Sequence, residues 1–250
     1  MKNFVNIHRL PCLIFACGCA GALLRVWMYT GSVDEKGLLI AGNLPNTLAL
    51  ILSAVVILVT CLGVRKLDGS NRYAANFPPS LIGGLSALAM AVGVVSLILQ
   101  RSSHAEHYLD IIWLVSAAVS LPCLAITGYC RVQGKRPPFF LHCLLSVFLG
   151  LHLANEYRGW SGSPQYMEYF FQLFACVGLT LTGYHHAAFD VGMGSRRLQL
   201  GIALLTAYFC LLSLAEPGYG LFYAGGAAWC LANLCALEPP QRRRREVQPE

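Results

Sequence analysis

The sequence predicts an all-α, polytopic membrane bundle of about eight spanning helices, with both termini in the cytoplasm. Three observations predict it: a residue balance suited to lipid, a series of apolar stretches of spanning length, and a one-sided distribution of Lys and Arg. Of 250 residues, 56% are hydrophobic and 12% charged, whereas soluble domains carry about 25% charged residues. Crossing the hydrocarbon layer takes about 20 mainly apolar helical residues. The stretches 10–28, 46–64, 80–99, 109–130, 139–155, 165–189, 198–214 and 218–237 come close to that length. Spanning β-segments would be about 10 residues long and strictly alternating, a pattern this sequence lacks.

Taken in order, the first stretch follows the basic residues Lys2 and Arg9. A lipoprotein-type cleavage before Cys17 is the alternative reading there, but Phe15 fits that pattern poorly and the apolar run continues to Leu24. The second ends before Gly69-Ser70, and the third opens after Pro78-Pro79 with small residues, Gly83, Gly84, Ser86 and Ala87. Pro122 lies inside the fourth, where it predicts a kink and a freed carbonyl. Pro137-Pro138 precede the fifth; Ser163-Pro164, with Glu168 in the first turns, reads as a capped start to the sixth. Glu216-Pro217-Gly218 leaves so few residues between the seventh and eighth that they must form an antiparallel hairpin. Small residues return in the eighth, where Gly220 and Ala224 have the spacing that lets helices approach closely.

Basic residues set the orientation. With the N-terminus inside, 14 of the 18 fall in cytoplasmic segments, among them Arg65, Lys66, Arg72, Arg131, Lys135, Arg136, Arg196, Arg197 and Arg242 to Arg245. Arg25, Lys36, Arg101 and Arg158 remain outside, with most of the acidic residues. Trp27, Trp113 and Trp160 fall at outer helix ends, where an aromatic belt would place them. The formal charge of +6 is therefore an orientation signal, and no nucleic-acid partner is expected. The 11 cysteines lie in or beside apolar stretches and read as small packing residues, not as a disulfide framework or zinc site. Residues 1–238 form one transmembrane domain, with a faint four-plus-four likeness between 1–136 and 137–238 of the kind some transporters have. Residues 239–250 form a basic cytoplasmic tail.

Ionisable residues inside a membrane are functional candidates by default. The densest group is Asn155, Glu156, Arg158, Glu168 and Gln172, at the outer ends of the fifth and sixth spans, with Arg25 placed to reach it if the first helix is a neighbour. His152 and Glu156 are four apart on one helical face. One reading is an outward-facing pocket, rimmed by Trp27, Tyr29, Tyr157, Trp160 and Tyr166, for a small polar ligand. The other is a set of interfacial helix caps. A secondary polar cluster, His142, His185, His186 and Asp190, lies at the cytoplasmic ends of the same helices, with Asp190 spaced to orient His186. Adjacent histidines point about 100° apart on a helix, so joint chelation of a metal is not expected. The sequence names no cofactor.

The runs Tyr-Arg-Gly-Trp-Ser at 157–161, Phe-Phe-Gln-Leu-Phe-Ala-Cys at 170–176 and Ala-Phe-Asp-Val-Gly-Met-Gly at 188–194 resemble bacterial multi-pass inner-membrane proteins without an assigned function. The resemblance implies a bacterial inner membrane and no activity. Three functions are expected, in order: a transport or small-molecule-binding membrane component, working with a separate energising subunit if ATP-driven; a non-catalytic membrane partner or assembly subunit; and a membrane-embedded enzyme using His185, His186 and Asp190.

Overall fold

A computed structural model describes residues 2–31, 43–65, 73–102, 108–160, 166–216 and 218–235, apart from the side chains of 2–8, 74, 75 and 166–168. The predicted tail, the acidic and basic residues of the 32–42 and 66–72 connections, the Ser163-Pro164 cap and the Tyr166 and Glu168 side chains lie outside that description. All regular structure among the described residues is helical. The helices are α1 (Lys2–Gly31), α2 (Leu44–Arg65), a one-turn α3 (Tyr73–Asn76), α4 (Leu81–Arg101), α5 (Tyr108–Val132), α6 (Phe139–Trp160), α7 (Tyr166–Val191), α8 (Arg196–Leu212) and α9 (Gly220–Cys235). A 3-10 turn at Ser213–Ala215 follows α8. Every predicted apolar stretch falls on one of the eight longer helices. α1 starts at Lys2 rather than near residue 10, and α5 runs without a break through Pro122.

Helix α4 shows why these sequences form lipid-facing helices. Its exposed side chains are Leu81, Ile82, Leu85, Leu88, Val92, Val95 and Leu99, recurring every three or four residues on one face. Its buried face holds Gly83, Ser86, Ala87, Met90, Gly93, Val94 and Leu97. Large apolar groups fill the outward face, where a water-soluble helix would turn polar groups, and the small residues lie on the inward face beside Met90, Val94 and Leu97. By length and composition, six segments can cross a membrane: Arg9–Gly31, Leu44–Arg65, Leu81–Arg101, Tyr108–Val132, Phe139–Trp160 and Arg196–Ala215. Helix α7 is long but carries Thr180, Thr182, His185, His186 and Asp190, and α9 has 16 residues. The chain is an integral membrane protein.

Helices α4 to α9 form a closed ring, each packed on the next and α9 packed back on α4. α1 and α2 pack on each other and both on α8, which leaves α8 the most enclosed of the six spans. The ring is filled by Met90, Val94, Leu124, Phe148, Phe171, Leu179, Cys210 and Phe222, all inaccessible to solvent. Because lipid supplies no hydrophobic drive between helices, adhesion rests on close packing and polar ties. Ser53 meets the Tyr208 hydroxyl at 3.0 Å between α2 and α8, and Thr182 meets Thr206 at 3.3 Å between α7 and α8. Other hydroxyls, such as those of Ser86, Ser96 and Ser120, donate to carbonyls of their own helix at 2.7 Å.

The α4–α9 seam is the tightest. A Cβ on Gly225 would sit 2.5 Å from the Ala89 carbonyl oxygen, and one on Gly93 would sit 3.0 Å from the Phe222 Cα. The two small-residue stripes therefore face each other, backbone to backbone. Gly225→Ala should lower stability by about 1–3 kcal/mol, because a backbone cannot step aside as a side chain can. Gly159→Ala, with nothing within 4 Å of the added carbon, should be neutral or slightly stabilising. Reversible unfolding in mixed micelles measures both, and equal effects would dismiss the seam.

Candidate functional site

Charged side chains collect at both ends of the bundle. At the end that holds the C-termini of α1, α4 and α6, two buried ion pairs form. Arg25, on α1 and 1% exposed, pairs with Glu216 beyond the 3-10 turn, 7% exposed. Tyr29 joins them: an Arg25 Nη donates to its hydroxyl at 2.7 Å, and that hydroxyl donates to Glu216 Oε1 at 2.6 Å. The guanidinium also lies over the Phe171 ring, 5.2 Å from its centre. This pair fastens α1 to the α8–α9 connection.

The second pair lies inside the ring. Arg101, at the end of α4, donates to Glu156 Oε1 on α6 at 2.7 Å, and Tyr219 from the α8–α9 connection hydrogen-bonds with both. Arg101 also lies 5.2 Å over the Trp113 ring. One helical turn deeper, His152 is wholly buried among Trp113, Phe148 and Phe222. Its Nδ1 is 3.9 Å from Glu156 Oε1, too far for a hydrogen bond. Neither ring nitrogen has a hydrogen-bond partner among the described residues, nor have Arg101 Nη1 and the Asn155 side-chain nitrogen. A cavity of about 170 Å³ lies between Arg101, Asp110, Trp113 and Leu114.

The expected outer residues are thus distributed among different partners. Glu156 is in the ring with Arg101, Arg25 is 191 residues from its partner Glu216, and Gln172 is buried on α7. Asn155 is half-buried, and Arg158 is exposed at the end of α6. Of the three tryptophans expected in an outer belt, only Trp27 faces outward. Trp113 packs on Arg101 and His152, while Trp160 stacks on Tyr169 with ring centres 5.5 Å apart. In the sequence, Arg101, Trp113 and Glu216 stand out only as topology markers, and nothing singles out Tyr219. The signal available for Glu216 was a carboxylate at the tip of a tight hairpin; for Arg101 there was only its place beyond the third span.

The secondary cluster occupies the opposite end. His142 Nδ1 lies 2.5 Å from Asp190 Oδ2, so the carboxylate orients His142 across the α6–α7 contact and not His186 on its own helix. His186 stacks on His142, ring centres 5.2 Å apart at 21°, and its Nε2 is 3.1 Å from the Gln199 amide nitrogen. His185 is half-buried and stands apart, against Tyr184. Arg131, 6% exposed at the end of α5, stacks on Phe77 with its guanidinium 4.1 Å from the ring centre. Beside it is Tyr73 of α3, whose hydroxyl burial raises above its ordinary pKa against the opposing pull of Arg131. That phenol is a hydrogen-bond donor at neutral pH. Among the described residues, no three His, Cys, Asp or Glu gather closely enough to hold a metal ion.

Removing one partner of a buried ion pair costs about 3–5 kcal/mol, because the other charge is left uncompensated. Arg25→Gln and Glu216→Gln should each destabilise by that amount, and the double variant should recover much of the loss. Additive losses in reversible unfolding would mean that the contact carries no coupling. Comparison with protein-family models, with curated proteins and with solved structures gives no match, so the functional reading rests on this geometry.

Proposed function

We propose that the chain is a transport or small-molecule-binding component of a bacterial inner membrane, crossing it eight times with both termini in the cytoplasm. Its site is the outward end of the six-helix ring, built on Arg101, Asn155, Glu156 and His152 beside the 170 Å³ cavity. His152 is the observation that carries the reading. An imidazole with no exposure and no hydrogen-bond partner among the described residues costs free energy that simple helix packing would avoid with Leu or Phe. Such a group persists where a ligand or proton reaches it. It stands next to a carboxylate already balanced by the guanidinium of Arg101, and Arg101 in turn lines the cavity. Arg25 is a brace for the wall of this site; Glu168 and Gln172 sit on α7, the neighbour of α6.

Thermal unfolding of the detergent-purified protein against amino acids, short carboxylic acids, monosaccharides and polyols tests the reading. At least one class should raise the midpoint by several degrees. Glu156→Gln and His152→Phe should each remove that rise while remaining folded. A rise unchanged in both variants, or none with any class, overturns the site and leaves the non-catalytic partner reading in its place.

The orientation rests on the distribution of basic residues and is tested separately. Alkaline phosphatase fused after Arg136 or Arg197 should be inactive in bacterial cells, and active when fused after Gly162. Activity after Arg136 would reverse the scheme.

A further inference from the structure

A second cavity lies at the other end of the ring, lined by Tyr73, Phe77, Arg131, His142, His186 and Asn233 with small residues of α4 and α5 behind them. We propose that it binds an oxyanion, a single phosphate or carboxylate group, in the fork of Arg131. The inference is independent of the transport reading.

Arg131 is nine-tenths buried and shares a hydrogen bond with the Tyr73 phenol, yet neither of its Nη atoms has a hydrogen-bond partner among the described residues. Its position is fixed by its surroundings. The stem lies against Gly83, where a Cβ would come within 2.7 Å of Arg131 Cγ, and the guanidinium carbon lies over the Phe77 ring, 4.1 Å from its centre. A guanidinium held this way presents two parallel donors, the geometry that suits two oxygens of one anion. Burying it with both donors idle would be costly.

The rest of the lining has the same character. Tyr73 offers a phenol, and Asn233 offers the amide hydrogen left over after the other is donated to the Trp229 carbonyl at 2.8 Å. Two imidazoles face the space, and no carboxylate lines it. The nearby acid, Asp190, is engaged through Oδ2 by His142 at 2.5 Å, and its charge also acts on Arg131 from outside the lining. A cation would meet the Arg131 charge and no lining carboxylate, whereas an anion meets a guanidinium, a phenol and an amide that can donate. The cavity is about 20 Å³, room for about one water. That size excludes a nucleotide or a sugar, and an anionic group entering from the open side must part the lining to reach the fork. That group can come from free phosphate or from the head of an anionic lipid, since both offer the same oxygens.

The test uses the full chain, purified in neutral detergent and stripped of lipid. One arm titrates inorganic phosphate and follows thermal stability; the other adds phosphatidylglycerol and counts retained lipid by native mass spectrometry. Stabilisation by phosphate points to the free ion, whereas one retained lipid without a phosphate response points to the headgroup; either supports the site. Arg131→Lys keeps the charge and loses the fork, so binding should weaken at least roughly tenfold, as expected for one charge-assisted hydrogen bond. Should that variant not fold, Tyr73→Phe, which alters one hydroxyl at the rim, should still weaken binding several-fold. A folded wild type that binds neither probe overturns the proposal, as does binding unchanged in Arg131→Lys or, if that variant does not fold, in Tyr73→Phe.

Discussion

A charge held away from water must find its compensation inside the protein, and that requirement organises both ends of this bundle. Glu156 sits on the inner face of α6, where a lone carboxylate would be neutralised or expelled. Arg101 reaches in from α4 to hold it, and Tyr219 closes the contact from the α8–α9 connection. Because those three residues come from three separate elements, the pair also fixes how the ring closes. The Arg25–Glu216 pair repeats the device outside the ring, where it binds α1 to that same connection. The α8–α9 connection is thus held from two sides, at Glu216 by Arg25 and at Tyr219 by Arg101 and Glu156.

Dispersion and polar ties share the remaining work. Along the α4–α9 seam, small residues bring two backbones into contact, so many weak contacts accumulate over a long interface. Along α2–α8 and α7–α8, single hydroxyl contacts are spaced more widely. Such contacts average well under 1 kcal/mol in a membrane, because the separated helices find other partners. The seam should be the stiffest part of the ring, and α2, which packs on α1 and α8, the part whose loss disturbs the site least.

What the sequence revealed followed from the solvent. Lipid fixes the length of a crossing, so apolar stretches and the breakers between them located all eight longer helices to within a few residues, except at the start of α1. The one-turn helix α3 was not legible: four residues, Tyr73–Asn76, have no periodicity to read. The pairings were hidden for a different reason. Glu216 meets Arg25 from 191 positions away and Arg101 meets Glu156 from 55. In a linear sequence, a buried arginine at a helix end looks the same as one that snorkels into the interface. Arg131 is the clearest instance, since it counted toward the cytoplasmic charge and yet is buried on Phe77. His152 and Glu156 were legible as a pair because their four-residue spacing places them on one face of a single helix.

That face of α6 carries His142 near one end and His152 and Glu156 near the other, ten to fourteen residues apart, about 15–21 Å along the axis. Between them lie Leu145, Phe148 and Leu149, each no more than 1% exposed. The two polar ends are therefore separated by a packed apolar layer. A solute bound at either end meets close-packed side chains, which shift between discrete arrangements and do not yield gradually. On the proposed reading, binding and passage would therefore place different demands on the ring. Binding requires only the groups at one end, whereas passage would require α6 to move against α5 and α7, its neighbours in the ring. The ion pair between Arg101 and Glu156 spans from α4 to α6 across that arrangement, so any such movement must first loosen the contact that allows Glu156 to be buried at all.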